Sequence, residues 1–186
     1  MNVQGEASTA FGGGLDAAGG MGLSVGATTH YVVECRSSDG ALKWAEEFDN
    51  LVVTVGLNEL LTDTFKASAY TAAWYVGLTA GSPSFVAGDT MASHGGWTES
   101  AAYSEGNRQT LTLGSVASGS VSNSASKAVF SINGTATVGG AFVANNNTKS
   151  GTSGTLYGGG AFTEGNRSVV SGDTLSVTVT LTITAS

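Results

Sequence analysis

The chain is 186 residues long, with 28 glycines, one proline, one cysteine and a net charge of −7 from 7 basic and 14 acidic side chains. A single proline without a triplet glycine period excludes a collagen-like rod, the lone Cys35 excludes an internal disulfide framework, and no run nears the roughly 18 apolar residues of a membrane-spanning helix. The seven cations (Arg36, Lys43, Lys66, Arg108, Lys127, Lys149 and Arg167) are scattered singly, so the clustered charge that nucleic-acid binding requires is missing.

Residues 1–29 contain no Lys or Arg and lack the basic start of a secretory signal. Glycines at 12–14 and 19–20 make regular structure costly there. This stretch is expected to be an extended arm, with Phe11, Leu15, Met21 and Leu23 as apolar anchors for a neighbouring molecule. The body is expected to span residues 30–186.

Residues 30–36 (HYVVECR) and 41–48 are two extended runs joined by the turn-forming Ser37, Ser38, Asp39 and Gly40, which predicts a β-hairpin. Residues 52–55 are a further short strand. The convincing helix covers residues 56–65, where Leu57, Leu60, Leu61 and Phe65 form one stripe of a 3.6-residue period. A helix this short is marginal alone, so the stripe is expected to pack on a sheet. Residues 74–78 read as a buried strand.

Residues 79–105 form the longest irregular section. It carries Met91, His94 and Trp97, and a loop of this length suggests an interaction surface. Ser93, Asp89 and Glu99 stand near His94, but a serine adjacent to its histidine is poor geometry for a nucleophile and base. Residues 108–113 and 126–133 follow as strands, and Asn133-Gly134 predicts a hairpin turn into residues 135–138. Residues 141–143 and 155–157 are shorter runs. The final segment alternates without a fault, with Leu175, Val177, Val179, Leu181 and Ile183 on one face and Ser and Thr on the other, and all five apolar residues are expected to be buried. The tetrapeptide Glu-Gly-Asn-Arg occurs twice, ending at Arg108 and Arg167, and predicts one turn type used at two sheet corners.

Many short strands, one short helix and frequent glycine turns predict an all-β fold, an antiparallel β-sandwich or jelly roll with one short helix and a glycine-rich N-terminal arm. Cys35 reads as a small buried hydrophobe. Phosphate-loop, dinucleotide, zinc and calcium motifs are absent, so no catalytic or metal-ligating residue is assigned and no cofactor is implied. Trp74, Trp97, Tyr75, Tyr103 and Tyr157 raise the alternative of a sugar-binding platform, against a simpler reading in which Trp44 and Trp74 are core and Trp97 pins the long loop.

Lys43-Trp44 after an Asp-Gly turn, the segment NLVVTVGLNELL at 50–61, WYVGL at 74–78 and GDTMASHGGWTE at 88–99 carry a further pattern. With SASKAVF at 124–130 and SGDTL at 171–175, these blocks resemble, in order, structural proteins of tailed bacteriophages; the resemblance covers residues 30–186. It implies a non-enzymatic decoration or cement protein, made in the bacterial host cytoplasm and carried on the outer capsid surface of the virion. The implied partner is the major capsid protein, with a homo-oligomer (dimer or trimer) as the attaching unit. A tail or head-fibre component is the nearest alternative.

Overall fold

The computed structural model describes residues 25–66 and 73–185. In chain order these form strands β1 (Val25–Arg36), β2 (Leu42–Asp49) and β3 (Leu51–Val52), helix α1 (Thr54–Phe65), then β4 (Tyr75–Ala80), β5 (Thr98–Glu99), β6 (Gln109–Thr110), β7 (Ser120–Ser122), β8 (Ala128–Ser131), β9 (Ala136–Ala144), β10 (Leu156–Ala161), β11 (Arg167–Val169) and β12 (Thr174–Ala185). The molecule is mostly β, and every strand pairing is antiparallel. One sheet has the order β2-β1-β12-β7, with β8 also paired to β12. The other has the order β3-β10-β9-β4-β5, with β11 against β9 and β6 against β4.

The first two strands form the expected hairpin. Its turn closes with Ser37 N–H donating to the Ala41 carbonyl at 2.9 Å and Gly40 at a φ of +87°, which glycine adopts without steric cost. Residues 25–29, read above as the end of the arm, belong to β1 and pair with the last turns of β12, from Val25 opposite Ala185 to Thr29 opposite Leu181. The alternation in β12 is realised as a buried face of Leu175, Val177 and Val179. The last two residues depart from expectation: Leu181 is only half-buried and Ile183 is 52% exposed, because the strand runs past the edge of the core.

Side chains from both sheets meet in one core cluster that includes Tyr31, Val33 and Val177 from the first and Val76, Leu78 and Val143 from the second. Strand β9 is buried on both faces. Its Ala141 and Val143 join that cluster, while Phe142 and Ala144 on the opposite side join a second cluster with Val53, Met91, Trp97 and Leu156. The long irregular section is therefore a lid over the outer face of the second sheet.

Two further expectations change. Asn133-Gly134 does not close a hairpin, since β8 pairs with β12 and β9 pairs with β4, β10 and β11; the turn carries the chain from one sheet to the other. Residues 52–55 are not a strand either. Only Leu51 and Val52 pair, with Gly159 and Gly158, and the helix starts at Thr54, two residues earlier than its stripe suggests.

Candidate interaction surface

The irregular section gains its rigidity from buried polar groups. Arg108 has no exposed side-chain surface and forms a two-pronged pair with Glu99, with Nε donating to Oε1 at 3.0 Å and a terminal nitrogen to Oε2 at 2.8 Å. The same guanidinium donates to the carbonyls of Asn146 and Gly151, each at 2.8 Å, and lies 5.2 Å from the centre of the Phe142 ring. This is the fork that arginine supplies and lysine does not. In the second Glu-Gly-Asn-Arg copy the arginine also meets a buried glutamate, but through one nitrogen: Arg167 Nε donates to Glu46 at 2.5 Å, and the other Glu46 oxygen accepts from the Glu164 N–H at 3.2 Å. The two turns themselves differ, because Gly165 has a φ of +85° and Gly106 is not among the positive-φ glycines.

Met91 and Trp97 lie inside this lid, at 1% and 4% exposure. As surface contacts for a partner they are corrected: they belong to the lid's own core. The Trp97 ring stacks on Phe85 at 4.9 Å and on His94 at 3.8 Å, and its N–H donates to Asp89 at 3.1 Å. An indole buried to this extent offers no platform for sugar stacking. His94 is half-buried, with Nδ1–H donating to the Trp97 carbonyl at 3.1 Å. Asp89 also accepts from the Val86 N–H, and Glu99 is committed to Arg108, so the acidic groups near His94 serve separate structural bonds.

Cys35 is fully buried, and burial, with the neighbouring Asp173 carboxylate, pushes its thiol up to about 11. At neutral pH it holds its proton and packs as a hydrophobe. His30 is partly exposed in β1, where Nδ1 lies 2.9 Å from Asp49.

The apolar surface lies along α1 and the groove beside it. Helix α1 meets the body with a different side from the one its stripe implies. Its inward side carries Val55, Gly56 and Leu60, while Leu57 is 41%, Leu61 56% and Phe65 79% exposed. Two features set this orientation. The Val53 N–H donates to the Tyr157 carbonyl and the Thr54 N–H to the Ala87 carbonyl, which fixes the helix entry. At Gly56 a β-carbon would stand 2.3 Å from the Tyr157 carbonyl oxygen, so the helix rests on β10 through a bare backbone.

Beside α1 opens a groove of about 380 Å³ between the two sheets. Leu60, Trp74, Leu113, Val116, Tyr157 and Ile183 line it, with Asp63 as its charged member. Leu113, Val116 and Ile183 are 36%, 74% and 52% exposed. The sequence reading missed this site because residues 114–119 (GSVASG) look like an ordinary turn. The available signal was Val116, an isolated β-branched residue among Ser, Ala and Gly. Phe11, Leu15, Met21 and Leu23 lie outside the described residues.

No protein family and no curated protein matches this chain. Among the described residues, no helix is long and apolar enough to cross a membrane.

Proposed function

We propose that this chain is a non-enzymatic structural protein of a tailed-phage particle. It binds the outside of the head at junctions between major capsid subunits and holds them together, as a homo-oligomer. Its body is a β-sandwich of the jelly-roll kind, and its N-terminal arm adds contacts to a neighbouring subunit. The observation that carries the reading is the uncovered apolar face of α1, where Leu57, Leu61 and Phe65 stand in solvent beside an apolar groove. Contiguous apolar surface of this kind marks an interaction site. The low charge of the chain, 11% of residues, fits a surface partly covered by other subunits. Several modest contacts repeated over a shell add through avidity.

The test is co-sedimentation of the purified protein with capsid shells that lack it. Binding at a fixed ratio to the major capsid protein, with shells that then resist heating better, is the expected result. Failure to bind shells overturns the reading, and recovery with tails instead assigns the chain to the tail or fibre.

A further inference from the structure

We infer that the groove beside α1 is the seat of the chain's own segment 17–24, with Met21 and Leu23 as the side chains that enter it.

Three observations lead there. The first is where the described chain starts. Val25 pairs with Ala185, and Ala27 stands opposite Ile183, which forms part of the groove wall. Strand spacing of roughly 5 Å and a rise of roughly 3.3 Å per residue put that start within about 10 Å of the groove. Leu23 is only two residues before it.

The second is chemistry. The groove is walled by leucine, valine, isoleucine and aromatic side chains, with its acidic member Asp63 at the rim formed by α1. Segment 17–24 reads AAGGMGLS and carries no charge, so nothing in it opposes that carboxylate or needs a polar partner of its own. An unbranched methionine suits an irregular apolar gap. The third is chain reversal. To enter the groove from Val25 the backbone must turn back over β12, and Gly22, between the two seated side chains, supplies conformational freedom in that short stretch.

The inference concerns the isolated chain and stands or falls without the particle. It is also compatible with an arm that reaches outward, since Phe11 and Leu15 precede the seated segment. Residues 1–16 could still span at most about 50 Å.

Photo-crosslinking in the full chain tests it. Val116, a groove residue 74% exposed, is replaced by p-benzoylphenylalanine, dilute protein is irradiated, and the crosslinked peptides are identified by mass spectrometry from a mixture of ¹⁴N and ¹⁵N chains. The expected product joins position 116 to residues 17–24 of the same isotope. Products joining it to residues 67–72, to the body of another copy or to an arm of the other isotope overturn the inference, as does the absence of any product with 17–24. In a second variant that adds Met21→Ser and Leu23→Ser, the yield of the 17–24 product falls at least fivefold. Amide exchange in residues 111–121 then becomes faster, also by at least fivefold. An unchanged yield or unchanged exchange overturns it equally.

Discussion

Two regions of this molecule are built on opposite plans. The lid of residues 81–108 has little regular structure, yet it is fastened by buried or partly buried polar side chains: Arg108 on Glu99, Trp97 on Asp89, and Lys149, whose ammonium donates to the carbonyls of Tyr103 and Glu105 at 2.9 and 2.7 Å and lies 4.2 Å from the Tyr103 ring centre. The groove region is framed by a helix and long strands, yet apolar side chains there face outward. Irregular backbone is therefore no guide to exposed apolar surface here, and a periodic apolar stripe is no guide to the core. What separates the two is whether the surface's own side chains satisfy one another.

The sharpest way to break this contrast is to remove the lid's central cation. Arg108→Ala leaves Glu99, 6% exposed in its side chain, without its partner and leaves two carbonyls unserved. Loss of one member of a buried pair costs about 3–5 kcal/mol, read as a lower midpoint in urea unfolding. Arg108→Lys recovers only part of it, because an ammonium cannot reproduce the fork. If Arg108→Ala unfolds within about 0.5 kcal/mol of the parent, the lid is held by something other than its polar fastenings.

Gly56→Ala probes the helix region with a reversed sign. In an exposed helix interior this change stabilises by about 1 kcal/mol. Here the new methyl group meets the Tyr157 carbonyl carbon at 2.9 Å and its oxygen at 2.3 Å, so the helix must lift from β10 at a cost of about 1–3 kcal/mol. Denaturant unfolding separates the two signs directly.

The same residue explains what was legible in the sequence and what was not. The β1–β2 hairpin and the buried face of β12 follow from local signals, because turn chemistry and a two-residue period act over neighbouring positions. The helix was legible as an element, but its rotation was not. Its facing is decided by a glycine meeting a strand a hundred residues later in the chain, and no periodicity within 54–65 encodes that. For the same reason Asn133-Gly134 was legible as a turn but not as a crossing between sheets. Within the lid, Trp97 was readable as a pin for the loop. Met91 was misplaced because the face it covers, Phe142 and Ala144, belongs to a strand buried on both sides.

A smaller effect concerns acid. Asp173 is 3% exposed. Burial alone would raise its carboxyl, but the Lys43 ammonium and the Val170 N–H, which donates at 2.9 Å, outweigh this and hold it below the ordinary carboxylate range. A carboxylate depressed in the folded state contributes its full stability above its unfolded value of about 3.9 and loses it as pH falls through the folded one. Asp173→Asn is therefore expected to cost about 1.5–3 kcal/mol at neutral pH, the range for hydrogen bonds to a charged group. The gap between the two proteins' unfolding free energies closes as pH falls below about 4. A gap that stays constant into strong acid would mean that the carboxylate's charge contributes nothing.

The smallest effect on folding is expected where the contrast is greatest, at Phe65. Its ring is 79% exposed at the end of α1, so Phe65→Ser removes almost no buried contact and should shift unfolding by no more than about 0.5 kcal/mol. Serine also removes the largest single share of the apolar area that the α1 face would bury against a partner. On the proposed function, affinity for shells falls while the fold is untouched, and doubling the change with Leu61→Ser deepens the loss. A stability loss well above that limit would show instead that the ring is already packed, so the helix face would be part of the core and not a surface left for another molecule.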